Sequence, residues 1–284
     1  MSFGQTLSRV VERLGREERL DEFADLAADT VRERLDRQPL KDVLSGTWLG
    51  HPLHPLLTDL PIGFWTSAFT LDLVGGRNTR RAATHLVAWG VVSAVPTAIT
   101  GAADWGDTTG PARRIGLIHA AANTAALGCF AASWWSRVRG RHARGVALGL
   151  AGATAATVGG YLGGHLLQTM GVGVNRAAAP GPPVEWTQVA ATNEVTSTPR
   201  RVLAGEAPLV VLRHRGDVVA LDARCPHRGG PMDEGEVRDG CIRCPWHASV
   251  FRLDDGAIVQ GPSTVDLPTY ETRISGERVE VRAR

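Results

Sequence analysis

The chain has 284 residues, with 31 Lys plus Arg against 29 Asp plus Glu and a formal net charge of +2. That length leaves room for two domains, and so small a basic excess excludes any charge-based case for a nucleic-acid partner. Lys41 is the single lysine, an arginine and alanine bias of the kind a GC-rich bacterial genome produces, and the four cysteines show no disulfide framework, which points to a reducing compartment.

Residues 1–45 are predicted to form one or two amphipathic helices. Leu7, Val10, Val11 and Leu14, then Leu20, Phe23, Ala24, Ala27 and Val31, recur at helical spacing among charged residues. Their expected role is packing on a membrane face or on the C-terminal domain. The stretch has no apolar core of a signal peptide and no twin-arginine pair ahead of one, so no export signal is expected.

Residues 46–172 are a different material. Segments 56–75, 84–103, 115–135 and 146–168 are long enough to cross a bilayer, and the last three lack Asp, Glu, Lys and Arg. Four transmembrane helices are expected, with a buried soluble bundle as the alternative. Gly159-x-x-x-Gly163 and Gly160-x-x-x-Gly164 suit close helix packing. The run His51-Pro52-Leu53-His54-Pro55, followed by Asp59-Leu60-Pro61-Ile62-Gly63, resembles an uncharacterised family of four-helix bacterial membrane domains with an H-P-x-H-P box. That resemblance implies topology and no activity. With four spans, His51, His54, Asp59, His119 and His165 share one face, a candidate site for haem b or a quinone. The competing expectation is that these histidines bond loop backbone or lipid headgroups.

Residues 173–186, including Ala177 to Pro183, read as a semi-rigid Pro/Gly linker. Residues 187–284 are predicted to form a small antiparallel β domain, with strands at 209–214 and 217–222 around Arg215-Gly216, then at 250–253, 270–274 and 279–282. Within it, Cys225-x-His227 and Cys244-x-x-His247 each supply one thiol and one imidazole. A [2Fe-2S] cluster with two cysteines on one iron and two histidines on the other requires this mixed ligand set. Zinc also takes two Cys and two His, usually with like ligands adjacent in sequence, and is the competing reading.

Cys225-Pro226-His227-Arg228-Gly229-Gly230 and Cys244-Pro245-Trp246-His247-Ala248-Ser249 resemble the two cluster-binding boxes of Rieske ferredoxins, and Gly261-Pro262 resembles the proline loop that covers the cluster. Gly230 and Trp246 stand where respiratory Rieske proteins carry a second cysteine pair, so the ferredoxin-like branch is the closer match. The resemblance implies that Ser249 donates a hydrogen bond to a cluster sulfur. Phe251 stands where high-potential members have a tyrosine and has no hydroxyl to donate, so a low to intermediate potential is expected. Cys129 and Cys241 read as small apolar residues.

The predicted architecture is therefore an α-helical membrane bundle of four transmembrane helices followed by a small all-β Rieske domain. The expected function is one-electron transfer to or from an unidentified redox partner protein or membrane carrier. A membrane redox enzyme using the cluster as electron inlet or outlet, and a redox sensor or assembly protein, are the alternatives. Too few residues follow His247 for the catalytic domain of a Rieske oxygenase, and no G-x-G-x-x-G nucleotide fingerprint is present. Loop arginines lean toward an external cluster domain. The lack of a twin-arginine signal favours the cytoplasmic side, which is the expectation. No sequence signal bears on oligomeric state.

Overall fold

The computed structural model describes residues 3–178 and 181–284, so Ala179 and Pro180 of the expected linker lie outside the described residues. The chain divides into two compact units. One comprises Met1–Arg37 and Leu53–Val172, and the other Gln38–Pro52 and Gly173–Arg284.

The first unit is helical: α1 (Phe3–Gly15), α2 (Asp21–Leu35), α4 (Leu53–Val74), α5 (Arg80–Gly106), α6 (Gly110–Val138) and α7 (His142–Gln168). The intervening α3 (Leu40–Ser45) belongs to the second unit. The stretches Arg77–Gly106, Gly110–Val138 and His142–Gln168 are long and apolar enough to cross a membrane. These are three candidate spans where four were expected, because α4 carries Asp59 and Asp72 among its apolar residues. Large apolar side chains stand exposed on these helices, including Ile62, Leu73, Trp89, Val92 and Leu150, which is the reverse of a helix built to face water.

Backbone satisfaction explains the tolerated prolines. Pro61 cannot donate to the carbonyl of Leu57 one turn earlier. The Thr97 hydroxyl of α5 donates to that carbonyl instead, at 3.1 Å. Inside the bundle Trp65 stacks on Phe130 with ring centroids 3.8 Å apart, and a Cβ at Gly90 would collide with the Trp65 indole. Only one of the two expected glycine pairs packs closely: Gly159 lies against Asn123 and Gly163 against His119, while Gly160 and Gly164 face open space. The amphipathic N-terminal helices dock on this same unit. Val11 joins Ile115 and Leu162 in one apolar cluster, Arg114 pairs bidentately with Asp21, and Arg113 pairs with Asp25.

The second unit is built on two antiparallel sheets. Strands β1 (Thr187–Ala191), β2 (Arg200–Ala204), β3 (Ala207–His214), β4 (Asp217–Asp222), β9 (Thr269–Ser275) and β10 (Arg278–Arg282) form one, in the order β1-β10-β9-β4-β3-β2. The other is β5 (Glu236–Arg238), β6 (Cys241–Arg243), β7 (Val250–Arg252) and β8 (Ile258–Gln260), in sequential order. Alternation along β3 and β4 buries Val210, Leu212 and Leu221 against Phe251, Leu253 and Leu267. This apolar floor positions the loops that leave β4, β6 and β8.

Candidate metal centre

The two boxes fold as matched loops. In the first, after β4, Cys225 N donates to Gly230 O at 2.8 Å and Gly229 N returns to Cys225 O at 2.7 Å. In the second, between β6 and β7, Cys244 N donates to Ser249 O at 2.8 Å and Ala248 N returns to Cys244 O at 3.2 Å. Each turn needs a left-handed residue, supplied by Gly229 (φ 77°) and Ala248 (φ 61°). The result is that backbone N–H groups of His227 and Arg228 aim at the Cys225 sulfur, and those of Trp246 and His247 at the Cys244 sulfur. Donors placed this way favour thiolate over thiol.

The loops bring like ligands together. Cys225 and Cys244, 1% and 3% exposed, are within hydrogen-bonding reach of each other. The Cys225 thiol donates to the Cys244 thiolate, holding Cys244 down to about 6 and pushing Cys225 up, with burial adding to the rise. The His227 and His247 rings stand edge to face with centroids 5.0 Å apart. Burial, then the charges of Arg228, His247 and Lys41, holds His227 well below its usual range, in the neutral form that can ligate a metal. Among the described residues no three His, Cys, Asp or Glu side chains converge on a single ion-sized point. Each loop supplies one thiol and one imidazole, a donor set that fits two irons with different ligands.

The surroundings follow from the same sequence. Ser249 is fully buried, and its Oγ accepts from Ser263 N at 3.0 Å, tying the second box to the Gly261–Ser263 loop. Phe251 is equally buried and packs in one apolar cluster with both cysteines, and Gly261 and Pro262 are buried. At the two places where a disulfide was noted as missing, Trp246 lies on Gly230. A Cβ at residue 230 would sit 2.7 Å from Cys244 Sγ and 3.2 Å from the Trp246 ring. Gly230→Ala is therefore expected to reduce cluster content to a small fraction of wild type, measured as iron and acid-labile sulfide per chain. Asp222, wholly buried, anchors the first box by accepting from Arg224 N and pairing with its guanidinium, with the Tyr270 hydroxyl as a further donor at 3.2 Å. Sequence reading missed Asp222, because an acidic residue ending a strand looks like any turn residue.

A family described as "Rieske [2Fe-2S] domain" matches residues 185–271, and one described as "Predicted membrane protein (DUF2231)" matches residues 50–176. The anthranilate 1,2-dioxygenase ferredoxin subunit of Burkholderia cepacia is 34% identical over 98 residues, which span 34% of this chain and 91% of that protein. The chain belongs to the Rieske [2Fe-2S] family. Its Rieske domain is also 33% identical over 84 residues to apoptosis-inducing factor 3 of Homo sapiens, covering 30% of this chain and only 14% of that longer protein. Among solved structures, the ferredoxin of carbazole 1,9a-dioxygenase from Nocardioides aromaticivorans IC177 aligns with 35% of this chain and 98% of its own, at 22% identity and a TM-score of 0.34. The Rieske domain is preceded by a membrane domain with apolar helices.

Of the histidines and the acid expected on one membrane face, the structure brings two together. His54 on α4 and His119 on α6 meet edge to face with ring centroids 6.5 Å apart. Each Nδ1 bonds a main-chain carbonyl, Thr97 O at 2.9 Å and Gly159 O at 2.8 Å. His51 is exposed, with its Nδ1 beside Pro52 O. Asp59 is exposed on α4, and His165 is half-buried in the last turn of α7.

Proposed function

We propose that this chain is a membrane-anchored Rieske protein that passes single electrons between a partner protein and a second carrier. The observation that carries the reading is the pairing of Cys225 with Cys244 and His227 with His247 on two loops closed by a third. A bound [2Fe-2S] cluster would supply one-electron chemistry there. The protein's own part is to hold the thiolates with backbone N–H groups, keep His227 neutral, and exclude water with Phe251 and Gly261–Ser263. His247 and Trp246 are the accessible side of the site, Trp246 being 56% exposed, and that side is where a partner would approach.

In this proposal residues 46–172 anchor the domain with four spans, α4 being the fourth. Its exposed Leu56, Leu60 and Ile62 support that role, as does the ion pair that neutralises Asp72. The Rieske domain is placed on the cytoplasmic side, where clusters are assembled. A second reading, a membrane redox enzyme binding haem b or quinone, is favoured by the meeting of His54 with His119 alone. Optical and electron paramagnetic resonance spectra of the detergent-solubilised protein, with a haem assay, separate the two. A Rieske signal without haem is the expected result, and no Rieske signal would end both readings. For orientation, a cysteine introduced on the Rieske surface is expected to resist an impermeant thiol reagent in intact cells.

A further inference from the structure

Residues 38–52 pack with the Rieske domain although the whole helical segment separates them from it in sequence. Residues 38–49 lie in neither family match. The stretch folds as α3, turns at Gly46 (φ 84°), and presents Asp42 and Thr47 to the loop above the metal centre. Asp42 Oδ1 accepts from Gly261 N at 2.7 Å, and Thr47 Oγ1 donates to Ser263 O at 3.0 Å. Because Ser263 N in turn donates to Ser249 Oγ, one continuous hydrogen-bonded path runs from this stretch through the proline loop into the second box. The approach is close enough to demand glycine: a Cβ at residue 261 would lie 2.8 Å from Asp42 Oδ1 and collide with Thr47 Oγ1. Lys41, the single lysine of the chain, is 3% exposed in the same packed stretch.

We propose that residues 38–52 form a clasp belonging to the metal centre, in which Asp42 and Thr47 are positioning residues that hold the Gly261–Ser263 loop over the cluster. The proposal rests on the Rieske reading of the site. A loop pinned at Gly261 and Ser263 limits access of water and chelator to the ligands, which also governs potential.

The test uses the full-length protein in detergent. Asp42→Ala is expected to lose iron to a chelator about fivefold faster, the equivalent of one hydrogen bond. Asp42→Asn, which keeps the acceptor oxygen, stays near wild type. If Asp42→Ala does not accumulate, Thr47→Val removes the other bond with little change of shape and should also speed iron loss. A wild type with a normal Rieske signal and unchanged iron loss in Asp42→Ala and Thr47→Val would eliminate the clasp alone. A wild type without the signal would eliminate the Rieske reading and the clasp with it.

Discussion

Cys225→Ser, Cys244→Ser, His227→Ala and His247→Ala are each expected to abolish the Rieske resonance signal and to lower iron and sulfide to background. A serine hydroxyl stays protonated where a thiolate is required, and a methyl group offers no lone pair. The backbone donors aimed at each sulfur cannot compensate, because they stabilise a charge the substituted side chain does not carry. Cys241→Ser is the control. Cys241 lies in β6, three residues before Cys244 and outside the matched loops, and its variant should keep the full signal. A normal spectrum in Cys225→Ser would sink the ligand assignment, and zinc in place of iron in the wild type would revive the tetrahedral alternative.

Asp72→Ala is expected to destabilise the helical unit by about 3–5 kcal/mol, the usual cost of leaving one member of a buried ion pair alone. Arg137 Nη1 donates to Asp72 Oδ1 at 2.9 Å and Nη2 to Oδ2, with the two side chains only 1% and 4% exposed. His142 Nε2 lies 3.4 Å from the same carboxylate. Removing the acid leaves the buried guanidinium without its carboxylate, whereas the double variant Asp72→Leu, Arg137→Met removes both charges and should recover much of the loss. Thermal unfolding in detergent reads the difference. If Asp72→Ala unfolds at the wild-type temperature, the pair is not the internal tie that its burial indicates.

The two boxes were legible in the sequence because their pattern is local: each carries its candidate ligands and its turn residue within six positions. Strands β3, β4, β9 and β10 were legible from alternation and from the Arg215-Gly216 turn. Strands β5, β6 and β8 are three residues each, too short for a period to show. The docking of α1 and α2 could not be chosen from their apolar spacing. It is decided by Arg113 and Arg114, charges near the start of a membrane-length helix that find Asp25 and Asp21. Asp42 and Thr47 left no trace, since a bond between residues 219 positions apart has no local pattern. A boundary drawn after residue 45 cuts between the two, for the run Leu40-Lys41-Asp42-Val43-Leu44 reads as the end of an amphipathic helix.

The bond from Asp42 to Gly261 also makes the long helices α4 to α7 an insertion between two parts of one unit. On the ribosome, Gln38–Pro52 emerges before α4 to α7 and must wait while every membrane-length helix is made, because its partner loop follows them in the chain. Closing a contact of that span is slow relative to local folding. The metal-binding domain thus acquires its final fastening only after the bundle exists, which places helix insertion before metal-domain completion in the order of assembly.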